Sequence, residues 1–197
     1  MEDTKLCIGV AVADTIKYPT VAAIVGTIFQ AQYRVHFVMR AGCYVQENRT
    51  GIVEEALEKE CTHIFFIDAD MMFPAETANR LIAHQVPVVG ANYNHRYFPR
   101  TPTVKMHDGK GNVVGYKVDD LPKDELFQCF AVGTGCCMIQ ADVFKHIKKP
   151  WFTVVQSSEG QLLVTEDVWF ARNCFHSGVP VYCDPTIKCG HIGDFAF

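Results

Sequence analysis

The first half of the chain alternates strand-like and helix-like apolar patterns, and this alternation restricts the fold more than any other feature. Four runs are apolar enough to form buried strands, at residues 5–13, 35–39, 63–67 and 86–91. Between them, apolar residues recur at helical spacing, over 21–29, 53–59 and 74–82. Three consecutive strand–helix–strand units predict a parallel sheet with helices on both faces. We therefore expect an α/β fold.

The pattern changes after about residue 100. A turn-rich segment, 108–112, separates extended runs at 103–106 and 113–118 and predicts a hairpin. The remaining predicted elements are a strand within 130–140, a helix over 165–176, and extended segments at 179–183 and 187–191. The chain has 197 residues and no linker-like stretch, so we expect a single domain, 1–197, with antiparallel additions in its second half.

Composition excludes several classes of function. The hydrophobic share of 49% argues against disorder, and the net charge of -4 predicts no patch for nucleic acid or an anionic membrane. A polyanionic ligand would have to be held locally, by a metal or a few basic groups. No apolar stretch approaches the roughly 20 residues that cross a bilayer, so we expect no membrane segment.

Cysteine usage indicates a reducing compartment. The nine cysteines are an odd number without any CxxC pair. Cys136 and Cys137 are adjacent, and a disulfide between neighbours is strained. We therefore predict that most of the cysteines are small buried hydrophobic residues, and we expect a cytoplasmic protein.

Two carboxylates follow the apolar run 63–67, at the end where open α/β sheets bind ligands. In an extended backbone Asp68 and Asp70 point to the same side, and they repel each other unless a cation lies between them. Carboxylate oxygens suit Mg²⁺ or Mn²⁺, which can bridge to a diphosphate. The two acids could equally cap the helix that begins near Pro74, so both interpretations stay open.

A second acid pair, Glu166 and Asp167, begins the helix at 165–176. Acids are favoured there by the helix dipole and Thr165 can cap the helix, so the pair needs no function. Alternatively, one acid is a general base that takes a proton from an attacking hydroxyl. Two interpretations of His191, near the end of the sequence, stay open. It is either a surface or core residue without a ligand, or a third ligand to a metal at Asp68 and Asp70.

In their order along the chain, these segments resemble the GT-A glycosyltransferases, specifically small enzymes like those of family 2. The matching motifs are Asp68-Ala69-Asp70 as the DxD, Glu166-Asp167 as the acidic pair and Gly190-His191 as the late metal-binding histidine. Supporting matches are Asn48-Arg49, 90–93 with Arg96, 133–136 and 149–152. The resemblance covers about residues 5–193 and implies a GT-A, Rossmann-like fold.

The resemblance also implies roles for individual residues. Asp68, Asp70 and His191 would hold Mn²⁺ or Mg²⁺, and the ion would bind the diphosphate of a nucleotide sugar, with a UDP-sugar as the expected donor. Donor contacts would come from Ala11, Ala13, Asp14, Arg49, Asp68 and Ala69. In an inverting enzyme, Asp167 would deprotonate the acceptor hydroxyl with help from Glu166. Weaker candidates for sugar or acceptor contacts are Tyr93, Arg96, Thr134 and Trp151, of which Tyr93 could equally be a core residue.

We expect residues 1–100 to form the half that binds the nucleotide sugar. Residues 101–197 would form the acceptor and catalytic half. Two other functions stay open. A nucleotidyltransferase that makes sugar nucleotides would need a glycine-rich, basic loop after the first strand, and residues 10–14 contain neither feature. A non-catalytic module could use the same fold to bind a sugar nucleotide or a glycan.

Overall fold

The chain folds into strands and helices in the alternating order that its first half predicts. The structure is a computed structural model and describes residues 4–96 and 98–193. The strands are β1 (Lys5–Val12), β2 (Arg34–Ala41), β3 (His63–Asp68), β4 (Met71–Met72), β5 (Val88–Ala91), β6 (Lys105–His107), β7 (Val113–Gly115), β8 (Phe127–Cys129), β9 (Cys136–Gln140), β10 (Val155–Gln156), β11 (Leu162–Val164), β12 (Val181–Asp184) and β13 (Gly190–His191). The helices are α1 (Tyr18–Gln30), α2 (Val45–Glu58), α3 (Thr77–Ala83), α4 (Val143–His146) and α5 (Glu166–His176).

The central sheet has seven strands in the order β2-β1-β3-β9-β5-β12-β8. β1 pairs in parallel with both β2 and β3, and β12 pairs in parallel with β5. β9 lies antiparallel between β3 and β5, and β8 is antiparallel to β12 at the edge. Five of the seven strands therefore run in one direction, which confirms a mostly parallel sheet with antiparallel additions from the second half.

The order of strands in the sheet differs from their order along the chain. β9, from the second half, lies between β3 and β5. Residues 136–139 of β9 are at most 2% exposed. A run of consecutive apolar residues is typical of a strand that is covered on both faces, which fits the position of β9 at the centre of the sheet.

Alternate residues of β1 pack into two separate cores. On one face, Cys7 and Ala11 lie in a core with α2 and α5; on the other, Leu6, Ile8 and Val10 pack against α1 and α3. This is the period-2 pattern of a strand that is covered on both faces. Helices therefore lie on both faces of the sheet, as the sequence predicts.

Several element bounds differ from the predicted ones. α2 begins at Val45, eight residues before the predicted 53–59 stretch, because the polar residues of its first turns obscure the apolar periodicity. α3 begins at Thr77, whose N–H donates to the carbonyl of Pro74, so Pro74 precedes the helix. The hairpin of β6 and β7 is confirmed but shorter than predicted, since Thr103 donates its N–H to Tyr93 instead.

Within 4–96 and 98–193, no helix is both long enough and apolar enough to cross a membrane. All nine cysteines are free thiols, and six of them are buried.

Close packing of β1 against α2 holds α2, and hence Arg49, in place. A Cβ atom at Gly9 would lie 2.3 Å from Cγ2 of Ile52. We predict that Gly9→Ala lowers the free energy of unfolding by about 1–3 kcal/mol through overpacking. In an Ile52→Ala background, which removes the clashing methyl, the same substitution should cost less, and urea denaturation of the four proteins measures the coupling.

Gly51→Ala on the same helix is the control. A Cβ there meets Arg40 at an ordinary 3.6 Å, so this substitution should stabilise the helix by about 0.5–1 kcal/mol. Strictly additive effects of Gly9→Ala and Ile52→Ala would contradict the packing account.

Candidate functional site

A pocket of about 410 Å³ opens at the carboxyl ends of β1 and β3. These ends meet because Ala11 on β1 lies beside Asp68 on β3 in the parallel register. Parallel strands place their terminal side chains at one edge of the sheet, where ligands bind. Ten of the residues predicted from sequence line the pocket: Ala11, Ala13, Asp14, Arg49, Asp68, Ala69, Asp70, Arg96, Glu166 and His191.

Arg49 joins the two acidic motifs at the pocket. Its side chain is only 3% exposed; Nη2 donates to Asp68 Oδ1 at 2.7 Å, and Nη1 donates to Glu166 Oε1. Burial alone would lower the pKa of Arg49, but the charges of Asp68 and Glu166 more than offset that effect and raise it. Arg49 is therefore a permanent cation between two carboxylates.

The position of Asp68 depends on a glycine of the second half. The N–H of Asp68 donates to the carbonyl of Gly135 at 3.0 Å, just before β9 begins. A Cβ at Gly135 would lie 2.6 Å from Asp68 Oδ2, so a side chain there would displace the carboxylate. The segment 133–136, which the sequence marked only as a supporting match, thus shapes the acidic site directly.

Asp70 and His191 are brought together by the small sheet of β4 and β13. Antiparallel pairing sets His191 opposite Met71, and Ile192 donates its N–H to the Asp70 carbonyl at 2.8 Å. His191 Nε2 then lies 3.4 Å from Asp70 Oδ1, while Arg96 donates to Asp70 Oδ2 at 2.6 Å. His191 Nδ1 faces the carbonyl of Asn94 at 3.0 Å, which orients the ring.

The charges in this group reinforce one another. Burial acts to raise the pKa of Asp70, but the hydrogen bond and charge of His191 and the charge of Arg96 outweigh burial and lower it. Burial likewise acts to lower the pKa of His191, and the hydrogen bond and charge of Asp70 outweigh it and raise it. In the protein alone, Asp70 and His191 form an ion pair when both are ionised.

The donor types at this site fit a divalent metal, although the predicted three-ligand group is not preformed. Within residues 4–96 and 98–193, no three His, Cys, Asp or Glu side chains are arranged to hold an ion. Asp70 and His191 face each other, whereas Asp68 is directed to Arg49. With His191 Nδ1 held by Asn94, Nε2 is the nitrogen that remains to bind a metal beside Asp70.

Asp167 lies one residue beyond Glu166 and makes different contacts. Its Oδ1 accepts hydrogen bonds from the Thr165 hydroxyl and, at 2.8 Å, from the Val168 N–H. Thr165 occupies the N-cap position but makes no side-chain cap, because its hydroxyl donates to Asp167. Asp167 Oδ2 accepts no hydrogen bond from the described residues. Asp167 does not line the 410 Å³ pocket, whereas Glu166 does.

Three further candidates lie in the core and do not line the pocket. Tyr93 is 5% exposed, and its hydroxyl accepts the Gly135 N–H at 2.9 Å. Burial raises the pKa of Tyr93 well above its usual value, so the hydroxyl stays protonated. Thr134 and Trp151 are also buried, and Trp151 packs against Phe144 at 5.3 Å between ring centroids. Their proposed contacts with sugar or acceptor remain predictions.

Sequence reasoning missed part of the pocket wall. Lys17 lines the pocket, and its N–H donates to the Ala69 carbonyl at 2.8 Å. Thr20 also reaches that carbonyl, so the start of α1 fixes the backbone between Asp68 and Asp70. Asn48, which is only a supporting match in the sequence, ties together the loops after β1 and β2 through the carbonyls of Val12 and Gly42. Lys17 belongs to no motif, and only its place after the first strand could have indicated its role.

Solved structures of other proteins share this fold. A197 from STIV aligns with a TM-score of 0.67 and 18% identity, over 97% of this chain and 86% of that one. GalNAc-T7 with UDP, GalNAc and Mn²⁺ aligns with a TM-score of 0.57 and 11% identity, over 96% of this chain and 44% of that one. The inositol-1-phosphate CTP transferase from T. maritima has a TM-score of 0.50 and 10% identity, with 96% and 89% covered.

No family model matches the chain, and no curated protein matches it in sequence. At identities of 18% and below, the structural likeness shows the fold alone. That fold is a mixed α/β domain with a mostly parallel seven-stranded sheet, consistent with the GT-A arrangement that the sequence motifs resemble.

Removing the buried cation between the two acids should destabilise the protein. We predict that Arg49→Met lowers the free energy of unfolding by about 3–5 kcal/mol at neutral pH, because Asp68 and Glu166 then face each other without a counterion. Urea denaturation at neutral pH measures this loss.

Arg40→Met is the matched control, since Arg40 is half-exposed and pairs with Glu55 at the surface. Its cost should stay below about 1 kcal/mol. Equal costs for the two arginine variants would show that Arg49 does not hold the acids together.

Proposed function

We propose that this chain is a metal-dependent glycosyltransferase, which moves a sugar from a UDP-sugar to a hydroxyl acceptor with inversion. The observation that carries the proposal is the meeting of three acidic or metal-binding segments, distant in sequence, at one pocket. That 410 Å³ pocket at the carboxyl edge of the sheet is lined by Asp68, Asp70, Glu166 and His191. The fold shared with GalNAc-T7, whose structure contains UDP and Mn²⁺, supports it.

The donor would occupy this pocket. Ala11, Ala13 and Asp14 form the wall after β1, where small side chains leave space for a nucleoside base. Arg49 would contact ribose or phosphate with the guanidinium hydrogens that Asp68 and Glu166 do not use. In this proposal, residues 1–100 supply most donor contacts and 101–197 supply the acceptor side and the base.

Asp70 and His191 would hold Mn²⁺ or Mg²⁺ in place of their mutual ion pair, and Asp68, kept by Arg49, would lie beside them. When bound, the ion offsets the negative charge on the leaving diphosphate. Arg96, which pairs with Asp70 in the protein alone, is placed to contact the same diphosphate or the sugar.

Asp167 would act as the general base. The acceptor oxygen attacks the anomeric carbon, the bond from that carbon to the diphosphate oxygen breaks, and the acceptor proton passes to Asp167. Oδ1 of Asp167 is fixed by Thr165 and Val168, which leaves Oδ2 as the oxygen that accepts the proton. Glu166, bound to Arg49, would serve the donor side instead of the proton transfer.

A nucleotidyltransferase is the second candidate, because the T. maritima CTP transferase shares the fold. Lys17 adds a basic side chain to the pocket near the loop after β1. That loop nevertheless lacks the glycines that would let its backbone surround a triphosphate. Release of pyrophosphate from a nucleoside triphosphate and a sugar phosphate would favour this candidate, whereas release of a nucleoside diphosphate from a nucleotide sugar favours ours.

Removing the proposed metal ligand should abolish cleavage of the donor. With Mn²⁺ and a panel of nucleotide sugars, we predict nucleoside diphosphate release from at least one donor, and a fall of about 100-fold or more in Asp70→Ala. Asp142→Ala, an exposed aspartate that pairs with Lys145, is the control and should react at the wild-type rate. No release from any donor, or an undiminished rate in Asp70→Ala, would overturn the proposal.

Substitutions of the two neighbouring acids should affect UDP binding and proton transfer separately. We predict that Asp167→Asn lowers the transfer rate by about 100-fold or more and leaves the Kd for UDP nearly unchanged. Glu166→Gln weakens the contact with Arg49 and should instead weaken UDP binding. Calorimetric titration with UDP and Mn²⁺, beside transfer kinetics, gives both quantities. Transfer by Asp167→Asn at the wild-type rate would refute the assignment of the base.

A further inference from the structure

A second cleft, of about 490 Å³, lies beside the first turn of α5. We call it the Lys105–Arg172 cleft. It is formed by the β6–β7 hairpin, by β11 and by α5. The residues that line it are Lys105, Gly111, Asn112, Val113, Gly115, Leu162, Leu163, Val164, Thr165, Val168 and Arg172. It shares no lining residue with the donor pocket.

The charge of this cleft is opposite to that of the whole protein. The chain has a net charge of -4, yet the residues that line the cleft include Lys105 and Arg172 and no Asp or Glu. Neither cation forms an ion pair with another described residue, in contrast to Arg49 and Arg96 at the donor pocket. Two uncompensated cations on one concave surface create a local field that attracts an anion.

One wall of the cleft is apolar and exposed. Leu162 and Leu163 are 58% and 60% exposed although they are consecutive residues of β11. Val113 and Val168 line the cleft as well. Exposed apolar side chains in a concave site mark a place where a ligand or partner is bound.

The cleft adjoins the proposed general base. Thr165 and Val168 line it, and these two residues hold Asp167 Oδ1 through the Thr165 hydroxyl and the Val168 N–H. A molecule bound in the cleft would therefore touch the two residues that hold the Asp167 carboxylate.

We propose that the Lys105–Arg172 cleft binds the acceptor, and that the acceptor carries a phosphate monoester beside an apolar group. This inference rests on the proposed function. A phosphate monoester, at close to two negative charges near neutral pH, matches the two cations better than a single carboxylate does. Arg172 offers the planar fork that phosphate oxygens accept, and Lys105 adds a point charge. Leu162 and Leu163 would cover the apolar group.

A matched pair of probes tests the charge requirement. In the presence of UDP and Mn²⁺, we expect p-nitrophenyl β-glucoside 6-phosphate to bind at least about tenfold more tightly than neutral p-nitrophenyl β-glucoside, as measured by calorimetry. The double variant Lys105→Met and Arg172→Met removes both charges and keeps an unbranched apolar side chain at each position, and it should abolish that difference. Lys145→Ala and Arg34→Ala, exposed cations elsewhere, should preserve it.

Competition identifies the source of the phosphate. Glucose 6-phosphate represents a sugar phosphate, and hexyl phosphate represents a lipid phosphate with a short chain. Competition by either against the bound probe supports the proposal, and the stronger competitor indicates which source fits. Equal binding of the charged and neutral probes, or an unchanged difference in the double variant, overturns it.

The rate of donor cleavage without acceptor distinguishes a failure of this inference from a failure of the proposed function. Release of nucleoside diphosphate without acceptor depends on the donor pocket, so the double variant should retain the wild-type rate. If donor cleavage is normal and the probes are not distinguished, the acceptor inference fails and the glycosyltransferase proposal stands. If no donor is cleaved by the wild type, the proposed function itself fails.

Discussion

The buried guanidinium of Arg49 is the interaction on which the rest of the site depends. It lies between Asp68, at the end of β3, and Glu166, at the start of α5, and so connects the two halves of the chain. Burying these charges carries a desolvation cost, which only close pairing offsets. A fixed cation also keeps two carboxylates at the edge of the sheet without mutual repulsion. The pocket is therefore charged and ordered before any ligand enters.

The topology of the sheet explains why that pairing is possible. β9 enters the centre of the sheet from the second half of the chain, and Gly135, just before it, fixes the backbone of Asp68. The glycine also leaves the space that the Asp68 carboxylate occupies. A strictly sequential sheet, with β5 next to β3, would lack this contact. The antiparallel insertion is thus part of how the acidic site is built.

Sequence predicted the strands well, and it singled out acids that the structure places at the pocket, because both are local patterns. The apolar run before Asp68 and the acids at Glu166 can be read without knowledge of the fold. Contacts across the chain could not be read in this way: neither the pairing of Arg49 with Glu166 nor the position of β9 leaves a local signal. For Tyr93 the sequence left two roles open, a sugar contact and a core residue, and the structure places its hydroxyl against the N–H of Gly135 in the core. Lys17 belongs to no motif at all.

In the proposed mechanism, the first turn of α5 supplies residues for two chemical tasks. Successive residues of a helix point about 100° apart, and the two neighbouring acids make different contacts. Glu166 faces Arg49 and the donor pocket, while Asp167 is held by Thr165 and Val168, which line the Lys105–Arg172 cleft. The chain has a net charge of -4, whereas the residues that line that cleft include two cations and no acid. In the proposed mechanism, the acceptor would reach from the cleft past Asp167 to the donor, because its hydroxyl must touch the anomeric carbon.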